Sequence, residues 1–230
     1  MNEVPNGIVH MKFLDSMIDN NLLESSRILG NYYTDMELIG TSLSVFYQAA
    51  TCHRNCHGGN HVFEALCGRI YNLGSSSYSL LRIGLYDESL NLIRSIGEIS
   101  NLIALSAVDS DAIREWLAAD KKERLNKFGP TAIRKRLEPE NMLLVGQDWY
   151  SKFCEKYTHV TPVTKPNEHG EDGPMVGGVV GDEGTRKSID QLTYVLSVTA
   201  ILVCRFFDFD DLFSDIEKLL YQAKAEQEKS

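Results

Sequence analysis

Residues 87–105 read DESLNLIRSIGEISNLIAL. Leu90, Leu92, Ile93, Ile96, Ile99, Leu102, Ile103 and Leu105 spread around most of a helix circumference, and a helix apolar on nearly every side must be wrapped by neighbours. The remaining polarity falls on one narrow stripe: Asn91, Arg94, Glu98 and Asn101, at i, i+3, i+7 and i+10, stack along one face. This predicts an innermost helix that is the second arm of an antiparallel hairpin running from Asn60 to Leu105. Val62, Phe63, Leu66, Ile70, Leu73 and Leu80 form the apolar face of the first arm. Gly84 closes that arm, Asn60 is its expected N-cap, and Asp87 is expected to cap the second.

Outward from the hairpin the pattern stays helical. Ile8 to Leu29 has loose helical spacing, ended by Gly30. Thr34 or Asp35 is expected to cap a helix through about Ala50. Short helices follow around Trp116 and TAIRKRLE. Another is expected from Pro139 to about Tyr157. Residues 158–184, THVTPVTKPNEHGEDGPMVGGVVGDEG, then form a long Gly/Pro-rich loop, with Val160–Val163 and Val176–Val180 as a candidate small hairpin. Thr185 is expected to cap an apolar helix through Phe207, and a last helix from Asp210 is expected to fray over a polar tail, 222–230. The fold class expected is all-α: a mainly antiparallel bundle of six to eight helices in a single domain, 1–230.

The chain has 230 residues, 43% of them hydrophobic, enough to bury a sizeable core in one domain. Its net charge of -9 opposes a simple electrostatic grip on nucleic acid. A local basic stretch from Arg114 to Arg136 stands against that balance, although charge runs usually meet water. Five cysteines and no signal-peptide layout point to reduced thiols in the cytoplasm. No uninterrupted apolar run reaches the length of a membrane span.

Three groups are candidates for chemistry. Arg94 and Glu98, four residues apart on the buried helix, must be satisfied internally or face a cleft. His159, where a helix ends and the long loop begins, suits an acid or base near neutral pH, or a helix C-cap. In TCHRNCHGGNH, His57 and His61 share an i, i+4 spacing with Glu64 beyond, the pattern of a divalent-metal chelate. Gly58-Gly59 interrupts that register, and Cys52-x3-Cys56 fits neither a zinc finger nor a thioredoxin motif. No cofactor is expected unless these residues hold a metal.

LLRIGLYDESLNLIRSIGEISNL, residues 80–102, with WYSKFCEKYTHVTP, residues 149–162, resembles a group of bacterial all-helical proteins related to the HEPN superfamily. Many HEPN proteins are metal-independent endoribonucleases of toxin or phage-defence systems that use an arginine, a following polar residue and a histidine. The resemblance implies either Arg54-Asn55 with His61, or Arg94, Glu98 and His159 brought together from different helices. The second arrangement departs from the family's single-helix motif. The first reading is therefore an RNA-cleaving enzyme in which a histidine takes the 2'-hydroxyl proton and an arginine stabilises the phosphorane. The alternative is a non-catalytic helical module binding a small ligand or protein partner beneath the loop, in part as a homodimer.

Overall fold

The computed structural model describes residues 6–164 and 176–227. Among them the chain is all-α: α1 (Gly7–Leu29), α2 (Tyr33–Ala50), α3 (Val62–Arg82), α4 (Tyr86–Val108), α5 (Ala112–Ala118), α6 (Lys121–Phe128), α7 (Pro130–Leu137), α8 (Gln147–Phe153), α9 (Asp182–Phe207) and α10 (Asp210–Gln227). The hairpin is α3 and α4, and the main core forms where α2 and α9 pack across it. Ile93 and Ile96 of α4, Ile70 of α3, Phe46 of α2 and Leu196 of α9 are all wholly buried there. A second cluster, built from Leu102 and Leu105 with Ile113, Phe128, Ile133 and Leu137, lets the short helices α5 to α7 wrap the far half of α4. The apolar girdle predicted for residues 87–105 is thus covered from two sides.

Two glycines position neighbours. Gly84 has φ +75° in the α3–α4 turn, and a Cβ there would lie 2.6 Å from the Val179 backbone carbon. Val179 donates its N–H to the Gly84 carbonyl, so the returning end of the long loop rests on this turn. Asn21 of α1 clamps the same crossing by donating to the carbonyls of Ile83 and Gly178, each at 2.9 Å. Gly97 faces the Trp149 ring and Val145, at 3.0 and 3.1 Å from a Cβ built on it, and its missing side chain lets α8 close on α4.

Several boundaries differ from the sequence reading. Helix α9 begins three residues before Thr185, which is buried and shares a hydrogen bond with Tyr86 Oη at 2.9 Å. Thr34 does not cap α2 but donates to Glu226, 192 residues away, at 3.0 Å. That contact and the helix-forming composition of AKAEQ carry α10 on to Gln227, past the expected fraying point. His61, not Asn60, precedes α3, with φ +53°. The helix expected from Pro139 is a 3-10 turn, Glu138–Glu140, an irregular stretch, and then α8. The described residues contain no strand, and Val160 and Val176 are almost fully exposed, so the proposed hairpin over the bundle is absent there. Residues 165–175 of the loop and 228–230 of the tail lie outside the described residues. Helix α9 is long and apolar enough, by length and composition alone, to cross a membrane; 56% of its most apolar window is buried in the bundle.

Candidate functional site

Among the described residues, α8 and the π-helical turn that follows it, Cys154–Thr158, roof the polar stripe of α4. The two described ends of the Gly/Pro loop leave beside Asn91 and return at the α3–α4 turn. Asn91 accepts a hydrogen bond from Thr158 Oγ1 at 2.9 Å. Arg94 Nη2 donates to Glu98 Oε1 at 2.7 Å and to Tyr150 Oη at 2.9 Å, and Tyr150 donates in turn to Glu98 Oε1 at 2.7 Å. Arg94 Nε donates to Cys154 Sγ at 3.2 Å, which completes a closed triangle with one sulfur at its edge. Burial works against the Arg94 charge, but its bonds to Tyr150, Cys154 and Glu98 outweigh it and hold the guanidinium protonated. Burial, and then the bond to Glu98, push the Tyr150 phenol well above its usual range.

Asn101, the last residue of the stripe, is a clamp. Its Nδ2 donates to the Val145 carbonyl at 3.0 Å, and its Oδ1 accepts from the N–H groups of Leu144 and Val145 at 3.1 and 3.2 Å. A short irregular stretch is thereby paired as a strand neighbour would pair it.

Between Glu98 and Asn101 on one side and α5 to α8 on the other lies a cavity of about 200 Å³. Leu66, Leu102, Trp116, Phe128, Ile133 and Val145 make its apolar walls, with Glu98, Asn101, Tyr150 and Arg134 as its polar groups. Arg134 is 2% exposed. It donates to Thr131 Oγ1 at 3.2 Å and closely to Gln147 Oε1, and its guanidinium carbon lies 4.5 Å from the Tyr150 ring centroid. Its Nε has no hydrogen-bond partner, and among the described residues no carboxylate forms an ion pair with it. A buried arginine normally finds a carboxylate or phosphate, because an unpaired buried charge is costly.

The other sequence candidates are placed as follows. His159 is exposed, and among the described residues no hydrogen bond joins its imidazole to Arg94 or Glu98; its backbone N–H closes the π turn on the Cys154 carbonyl at 2.9 Å. Arg54 pairs with Asp211 at 2.5 Å, and Asn55 donates to the Phe207 carbonyl. Of the eight cations in the basic stretch, Arg114, Lys127 and Arg136 pair with Asp111, Glu123 and Asp109. His61 and Glu64 do converge, with Cys52 and Cys56 rather than with His57, whose ring packs edge-on against Phe207 at 4.5 Å. Burial raises the Glu64 carboxyl, but its own backbone N–H, that of His57, the Cys56 thiol and His61 together hold it below the usual carboxylate range.

Comparison with known family models, curated proteins and solved structures finds no match for this chain.

Proposed function

We propose that this helical module binds a small apolar carboxylate in the cavity between α4 and α5 to α8. The observation that carries this reading is Arg134, a buried guanidinium on the wall of an apolar cavity with an unpartnered Nε and, among the described residues, no acidic partner. Glu98, the one carboxylate on the same wall, is already held by Arg94 and Tyr150. Two guanidiniums therefore stand against one carboxylate, which leaves the site a positive charge in excess. An incoming carboxylate pairs with the Arg134 guanidinium, and its hydrocarbon or aryl part meets Trp116, Phe128, Ile133 and Leu102. The cavity lies below the range of roughly 300–1,000 Å³ usual for drug-sized ligands, which restricts the occupant to a small aryl, branched or short-chain acid.

The HEPN-like ribonuclease reading draws less support from this arrangement. It needs an imidazole poised over an arginine, and Arg94 and Arg54 are each committed to an internal carboxylate. Incubation with single-stranded RNA in EDTA tests it: cleavage that is lost in His159→Ala would restore that function in place of the one proposed.

A thermal-shift panel of small carboxylates and their matching alcohols and amides tests carboxylate binding. Stabilisation by a subset of the acids and not by their neutral analogues, lost in Arg134→Gln, is the expected result. Equal response to acid and alcohol, or no response across the panel, would overturn it.

A further inference from the structure

The linker between α2 and α3 carries a second, separate constellation. Cys52 Sγ lies 3.8 Å from His61 Nδ1, Cys56 Sγ lies 3.5 Å from the same nitrogen and 3.5 Å from Glu64 Oε1, and His61 Nδ1 lies 3.8 Å from that oxygen. All four ligand atoms fall within 4.8 Å of one another. A tetrahedral zinc ion with Zn–S of about 2.3 Å and Zn–N and Zn–O of about 2.0–2.2 Å sets neighbouring donor atoms roughly 3.3–3.8 Å apart. The four edges through His61 Nδ1 and Cys56 Sγ given above, 3.5–3.8 Å, fall within that range, and the remaining two lie within 4.8 Å.

A second observation concerns the Glu64 carboxylate itself. Glu64 is 3% exposed, its Oε1 accepts the His57 N–H at 2.8 Å, and its buried Oε2 has no partner. A carboxylate so placed calls for a cation. The Gly58 N–H donates to Cys56 Sγ at 3.3 Å, the kind of backbone bond that supports a thiolate ligand. Cys52 and His61 both adopt left-handed backbone, φ +51° and +53°, a conformation that non-glycine residues hold only where surrounding structure imposes it.

We infer that Cys52, Cys56, His61 and Glu64 form a structural zinc site that locks the α2–α3 linker. With four protein ligands the site is closed, so its role is to hold the chain rather than to activate water. What it holds is specific: Asn55 and Arg54, inside the chelate, grip the Phe207 carbonyl and Asp211 at the α9–α10 corner, and the His57 ring packs on Phe207. The site thereby fixes the first turn of α3 to the end of α9.

The test is metal analysis of the full chain, produced without a histidine tag in zinc-supplemented medium, together with cobalt(II) titration of the chelator-treated protein. One zinc per chain is expected, and cobalt should give the ligand-field and sulfur-to-metal absorption of a tetrahedral thiolate site. Glu64→Gln and Cys56→Ser should each lower metal content well below stoichiometric, and His53→Ala, a neighbouring imidazole outside the set, should leave it unchanged. If Cys56→Ser fails to fold, the cobalt spectrum of the unaltered chain decides alone. Absence of both zinc and cobalt uptake, a spectrum lacking sulfur-to-metal absorption, undiminished metal in the Cys52→Ser/Cys56→Ser double variant, or a Cys52–Cys56 disulfide in the freshly isolated protein would each overturn the assignment.

Discussion

Asn101→Ala separates the structural end of the α4 stripe from its ligand-facing part. The side chain is 4% exposed and meets three backbone groups, the N–H of Leu144 and both polar groups of Val145. Each buried backbone group left unpaired costs about 1–3 kcal/mol, and partial rescue by entering water lowers the sum, so the loss should be roughly 2–5 kcal/mol. Asn91→Ala, on the same stripe but with a single bond to Thr158, should cost only about 0.5–1.5 kcal/mol. Denaturant unfolding followed by circular dichroism gives both values, and amide exchange reads the mechanism directly. The Leu144 and Val145 N–H groups should lose protection in Asn101→Ala well before the α4 amides do. If Asn101→Ala unfolds within about 0.5 kcal/mol of the unaltered chain and the Val145 amide stays protected, the clamp is not what shapes this wall of the cavity.

Three other outcomes follow from the same contacts. Burial, and then repulsion from Asp190, raise the Asp35 carboxyl, so its ionised form is destabilising in the folded chain. That penalty is present above the raised folded-state value and relieved as pH falls through it; Asp35→Asn should therefore raise the melting temperature at pH 7, with the gain vanishing in acid. Cys67 and Cys204 are buried, burial pushes each thiol up to about 12, and Cys154 is buried too. In chelator-treated native protein a thiol reagent should label the exposed Cys56 first, and rapid labelling of Cys67 would contradict the packing. Gly97→Leu should separate α8 from α4, abolish carboxylate stabilisation and lower stability by about 1–3 kcal/mol, read by thermal melts with and without ligand.

The hairpin was legible because residues 87–105 repeat apolar side chains on all but one narrow face, and only burial satisfies such a helix. The Arg94–Glu98 pair was legible because an i, i+4 spacing is local. What completes it, Tyr150 and Cys154, comes from 52 to 60 residues further on, and no periodicity announces that α8 ends in a π turn aimed at this stripe. Arg134 was hidden inside a basic run read as solvated. A finer signal was present, since Pro130, Arg134 and Leu137 fall on one helical face at i, i+4 and i+7. The linker cysteines did not announce a site because no second Cys pair follows Cys52-x3-Cys56 in the sequence. Here left-handed turns at Cys52, Gly58, Gly59 and His61, rather than sequence interval, bring the donors together. Cap positions misled where tertiary partners claimed the polar side chain, as Glu226 claims Thr34 and Tyr86 claims Thr185.

The central claim is that Arg134 is a binding group awaiting a carboxylate. Isothermal titration of the chain with a short aryl carboxylate, beside the corresponding alcohol, measures this most directly. The account predicts saturable one-to-one binding of the acid, no measurable heat from the alcohol, and loss of binding in Arg134→Gln with the fold intact. Equal binding of acid and alcohol, or binding of the acid that survives Arg134→Gln unchanged, would contradict it.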